Sequence, residues 1–137
     1  MGLYLCLWDE HDEIDGVDVG SYADYGRFVE AVVKHAEKGN RGSKYPLISM
    51  HSDSEGEWSR SDSARLVGDL EEIQRTFASL PPLPVPAGWQ TQVAKTFGIM
   101  PKSLGDSFFD IDGEPLIGRL IGLCRLAITH QKSILFQ

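Results

Sequence analysis

Leucines alternate with larger or more polarisable side chains at the start of the chain: Leu3, Leu5 and Leu7 against Tyr4, Cys6 and Trp8. Apolar groups on both faces of a period-two pattern predict a central or otherwise covered strand. Asp9 to Asp15 reads as an acidic turn, and Gly16 to Gly20 as the short second strand of a hairpin. Ser21 followed by Asp24 has the spacing of a capping box, so a helix is expected to begin there. Tyr22, Tyr25, Phe28, Val29, Val32, Val33 and Ala36 then recur at helical spacing, and Gly39 supplies the stop.

Beyond a basic loop over residues 40–45, which carries Arg41 and Lys44, Pro46 to His51 is an apolar run of strand length. A polar loop from His51 to Ser59 follows and contains Trp58. A second helix is predicted from Ser59 or Ser61, with Val67, Leu70, Ile73, Phe77 and Leu80 on one face. The proline stretch Pro81 to Pro86 must end it, because proline lacks the amide a helix interior needs; it reads as a stiff connector within one domain. A short helix over Gln90 to Phe97 is expected to turn Val93, Ala94 and Phe97 inward. Phe108 to Ile111 looks like a strand entering an Asp112-Gly113 turn. Leu116, Ile117, Leu120, Ile121, Leu123, Cys124, Ala127 and Ile128 cover a wide arc, which predicts the most buried helix. Gly118 and Gly122 on it would admit a close neighbour, and Ser133 to Gln137 forms a last strand. The expected architecture is α/β or α+β: one mixed sheet of about five short strands packed with three or four helices, a single domain over residues 1–137.

Charge changes this picture more than composition does. The 137-residue chain carries a formal net charge of −7. Its first thirty residues hold eight acids (Asp9, Glu10, Asp12, Glu13, Asp15, Asp18, Asp24 and Glu30) and one base, Arg27, whereas acids and bases balance in the remainder. Direct binding to nucleic acid is disfavoured, since phosphate neutralisation needs clustered Lys and Arg. A basic protein surface is the favoured partner. The N-terminal residues lack the basic region and cleavage site of a signal peptide, and no apolar run approaches a membrane span. Both cysteines lie in apolar settings, as buried thiols of a cytoplasmic protein would.

Catalytic signatures are sparse. No phosphate-binding loop, dinucleotide fingerprint or nucleophile elbow is present, so no cofactor is expected. His51, Asp53, Glu55 and Glu57 form the nearest approach to a metal or acid-base cluster, but the glycine is misplaced for a calcium loop and zinc would want more His or Cys ligands. A metal-assisted hydrolase using His51, Asp53 and Glu57 is the rival expectation. Asp110-Ile-Asp-Gly-Glu114 reads as a turn leading into a helix opened by Pro115. The partner-binding candidates are Asp9, Glu10, Asp12, Glu13 and Asp15 on the first turn. Asp53, Glu55, Glu57 and Trp58 on the second loop join them, Trp58 as an apolar anchor.

Several stretches taken in order resemble the immunity protein 70 family. They are Gly2-Leu-Tyr-Leu-Cys-Leu-Trp8, Glu13-Ile-Asp-Gly-Val-Asp-Val-Gly-Ser-Tyr22, His51-Ser-Asp-x-x-Gly-x-Trp58, Asp110-Ile-Asp-Gly-Glu-Pro-Leu116 and Ile134-Leu-Phe-Gln137. The resemblance spans nearly the full chain. It implies a small cytoplasmic protein of a bacterial polymorphic toxin system, binding and neutralising a cognate toxin domain without catalysis. Where that toxin is a nuclease, its basic groove is a natural counterpart for concentrated acid.

Overall fold

The computed structural model describes residues 2–52 and 55–137. Among them, four strands form one antiparallel sheet in the order β2-β1-β4-β3. β1 (Gly2–Trp8) is central, as its apolar content predicts; β2 (Glu13–Ser21) and the two-residue β3 (Glu57–Trp58) are the edges, and β4 (Ile134–Phe136) lies between β1 and β3. Five α-helices accompany the sheet: α1 (Tyr22–Ala31), α2 (Pro46–Ser49), α3 (Arg60–Ala78), α4 (Trp89–Phe97) and α5 (Leu116–His130). The fold is thus α+β, as expected, with four antiparallel strands in place of a five-stranded mixed sheet.

The hairpin is longer and its turn tighter than the sequence pattern indicates. β2 starts at Glu13, and the connection is closed by Asp9 N–H donating to the Asp12 carbonyl at 2.8 Å. Charge obscured the pairing: Glu13 and Asp15 belong to the ladder opposite Trp8 and Leu7. Phe108 to Ile111 is not a strand. Phe109 makes only an isolated bridge to Pro115, while Ile111 N–H reaches the Asp18 carbonyl and covers part of the β2 edge. Pro46 to His51 is likewise not a strand. Proline at the first helical position opens α2, which lasts a single turn.

Helix starts follow the sequence closely. Ser21 and Ser59 each accept the amide of the residue three on, Asp24 and Asp62, and each of those carboxylates returns to the cap amide. Gly39, at φ +83°, stops the first helix as predicted, although the turn before it, Val32–Ala36, is π-helical.

The core lies on one side of the sheet. Leu3, Leu5, Leu7, Val17 and Val19 meet Tyr25 and Phe28 of α1, Leu66, Leu70, Ile73 and Phe77 of α3, and the apolar arc of α5. Each fully buried leucine contributes about 2 kcal/mol by removal from water. Phe28 packs edge-on against Phe108 at 5.4 Å, and Trp58 edge-on against Phe136 at 4.8 Å. α5 is heavily buried, but a Cβ at Gly118 or Gly122 would meet nothing within 4 Å, so these glycines mark no close approach. Phe97 is also corrected: it points outward at 59% exposure, its ring lying over Gly113.

Candidate functional site

With every helix of the core on one side, the other face of the sheet is built from the alternate residues of the strands. Tyr4, Cys6 and Trp8 project from β1, and none of them belongs to the core cluster. Antiparallel neighbours directly opposite one another share a face. Tyr4 therefore stands beside Asp18, Cys6 beside Gly16 and Leu135, Leu135 beside Glu57, and Trp8 beside Glu13. The register thus brings Glu57 of the second acidic loop onto the same face as Glu13 of the hairpin. Three strand spacings separate the β3 and β2 edges, about 14 Å. The four strands contain no lysine or arginine at any position.

Side chains on this face lock to one another. Tyr4 crosses over Gly16 and its hydroxyl donates to Glu13 Oε1. A Cβ at residue 16 would lie 2.0 Å from the Tyr4 hydroxyl, so this crossing requires glycine. The hydrogen bond to a carboxylate raises the Tyr4 pKa to about 12, because ionising the phenol would set two negative charges together. Trp8 Nε1 donates to Cys6 Sγ at 3.3 Å, and the thiol in turn reaches Gln137 Oε1 at 3.3 Å. Cys6 is fully buried beneath these groups, and burial raises its pKa, which keeps the thiol protonated and inert. Trp8 remains 42% exposed.

The predicted site residues divide. Asp9, Glu10, Asp12 and Glu13 are exposed on the turn and first rung, Asp9 accepting the Glu10 amide at 2.8 Å. Asp15 is drawn inward: its carboxylate accepts from Nη1 and Nη2 of Arg119 at 3.2 and 3.3 Å, on the side of the sheet where α5 packs. Glu55 and Glu57 are exposed. Asp53 lies outside the described residues. Trp58 is corrected outright. It is fully buried, with its indole N–H donating to the Leu47 carbonyl at 2.9 Å, and it anchors the core instead of a partner. Its alternation with exposed Glu57 on β3, opposite Ile134 and Leu135, is the reason.

His51 closes the second loop. Its Nδ1 lies 2.7 Å from the Ser52 carbonyl and its Nε2 2.9 Å from the Glu57 carbonyl, and its ring stacks on Phe136 at 4.3 Å. Both nitrogens face main-chain carbonyl oxygens at hydrogen-bond distance, so neither is turned towards a metal site or a reacting proton. No three His, Cys, Asp or Glu side chains among the described residues are placed to hold a metal ion, and no helix among them is long and apolar enough to cross a membrane. Asp110 is a buried carboxylate with three partners. Its Oδ1 accepts the amides of Asp112 and Glu114, both at 3.0 Å, and its Oδ2 accepts Arg119 Nε at 3.3 Å. It fixes the turn that opens α5, the structural part its sequence context predicts.

Tyr4 and Trp8 are the surface residues that sequence reasoning missed. The pattern of β1 concealed them: apolar groups at alternate positions on both faces read as a covered strand, whereas the Tyr4 and Trp8 side lies outside the core cluster.

These features define an α+β fold built on one four-stranded antiparallel sheet. The sequence model of the immunity protein 70 family matches residues 3–136, and the chain belongs to that family, an immunity protein of toxin systems. No curated protein and no solved structure matches it.

Proposed function

We propose that this protein neutralises a cognate bacterial toxin domain by binding it, without catalysis, through the open sheet face and the adjoining acidic turn. The observation that carries the reading is the sign of that surface. Asp9, Glu10, Asp12, Glu13, Asp18 and Glu57 lie on it or at its rim, and the strands bring no cation to offset them. Such a surface steers a basic partner and rewards close carboxylate pairs with Lys or Arg. A nuclease toxin would present a basic groove of this kind, and the acids would then stand where phosphates bind. Glu55 extends the surface beside β3, and Asp53 remains a candidate on sequence grounds. The site of action is the cytoplasm of the producing cell.

The test is calorimetry between the purified protein and the toxin domain encoded beside its gene. Replacing Asp9, Glu10 and Asp12 with Lys is expected to weaken binding at least about 100-fold and to flatten its salt dependence. These residues are exposed and outside the core, so the fold should persist. Unchanged affinity with an intact fold would exclude this face as the docking surface.

A further inference from the structure

The indole of Trp8 is half exposed, yet its only hydrogen-bond donor is directed inward, to the thiol of Cys6 two residues back on the same strand. The ring therefore folds along β1 over Cys6, which it helps to seal, and turns its other side to solvent. What it offers a partner is an aromatic surface with no unsatisfied polar group. Three acids adjoin that surface: Glu13 is the cross-strand neighbour of Trp8, and Asp9 and Glu10 follow it directly. Tyr4 occupies Glu13 Oε1, so the side chain is held in place with its second oxygen still available.

An aromatic face flanked by carboxylates selects a cation that is flat, weakly hydrated and able to pair with carboxylates at its edge while stacking through its plane. That description fits guanidinium and not ammonium, which is compact and strongly hydrated. We propose that Trp8 is a stacking platform for an arginine of the partner protein, with Glu13 and Asp9 as its carboxylate counterparts. The proposal rests on the acidic-face reading above and adds to it the identity of the recognised side chain.

Octa-arginine and octa-lysine, peptides of equal length and charge, are the probes. Binding to the full chain is followed by calorimetry and by the indole N–H resonance of Trp8 in 15N NMR, assigned as the signal missing from W8F. Octa-arginine is expected to bind about two- to fivefold tighter than octa-lysine, the range for a cation over an exposed indole, and to shift the Trp8 resonance more. In W8A the preference should vanish while weak, salt-sensitive binding of both peptides persists. W8F should retain part of it, which separates loss of stacking from a disturbed fold. Equal binding of the two peptides, or a preference that survives in W8A, would overturn the platform alone and leave the acidic face standing. Failure of both peptides to bind would overturn the acidic face and the platform with it.

Discussion

Arg119, on the last helix, grips Asp15 of β2 with both terminal nitrogens of its guanidinium, at 3.2 and 3.3 Å. The same side chain donates to Asp110 through Nε and to the Gly16 carbonyl at 2.6 Å. One planar fork thus ties the α5 start, the turn before it and the β2 strand into a unit. The hydrogen bond and charge of Asp15, seconded by Asp110, raise the Arg119 pKa further.

Arg119→Leu should therefore destabilise the protein by about 2–3 kcal/mol, because Asp110, 1% exposed, would be left a buried carboxylate without its cation. Arg119→Lys is expected to recover less than half of the loss, since an ammonium cannot reproduce the fork. Urea unfolding of the two variants measures both effects.

Glu37 holds the loop after the first helix by accepting three amides, those of Tyr45 at 2.8 Å, Lys44 at 3.0 Å and Gly42 at 3.2 Å. Burial alone would raise its pKa; the amides of Tyr45 and Lys44 outweigh that and lower it. For Asp24, too, burial works against the charge and is outweighed, here by the Trp89 indole, the Ser21 cap and Gln90. A carboxylate with a depressed folded pKa contributes stability above its unfolded value, and that contribution is lost as pH falls through the folded one. Unfolding midpoints should hence fall steadily below about pH 4. Glu37→Gln should cost about 2 kcal/mol at neutral pH and flatten that acid limb.

Tyr4 supplies an alkaline counterpart. Its folded pKa of about 12 lies above the ordinary 10, so its contribution is complete below pH 10 and disappears as pH rises through 12. Ultraviolet titration of the phenolates should lose one late transition in Tyr4→Phe, while Tyr45, whose pKa burial also raises, titrates late in both proteins. In Glu13→Gln and in Gly16→Ala the Tyr4 transition should move back towards 10, the first losing the charged acceptor and the second displacing the ring.

Trp58→Phe should lower stability by about 2 kcal/mol and Trp58→Ala by about 3–5, the range for emptying a fully buried aromatic site. Toxin affinity per folded molecule should be unchanged in Trp58→Phe. A binding loss without a stability loss would return Trp58 to the interface.

Local chemistry made the helices legible. Ser21-x-x-Asp24 and Ser59-x-x-Asp62 are complete capping signals, Gly39 is a left-handed stop, and the period of α3 and α5 marks their buried faces. These are properties of residues three or four apart, which a helix brings together whatever surrounds it. The strands were harder. β3 has two residues, too few for a period to show, and the charged start of β2 disguised a ladder as a turn, whereas β4 lies within the last strand expected over Ser133 to Gln137.

Composition and the order of residues along the chain determined the acidic N-terminal region, the starts of α1 and α3, the α+β class and the family resemblance. Only the tertiary structure decided which carboxylates face outward. Arg119 is 104 positions from Asp15 and withdraws it, while the register through β4 carries Glu57 to the face of Glu13 and turns its neighbour Trp58 into the core. The physical reason is that a strand's two faces differ by one residue of register, and register is set by pairing with distant segments that no local pattern encodes.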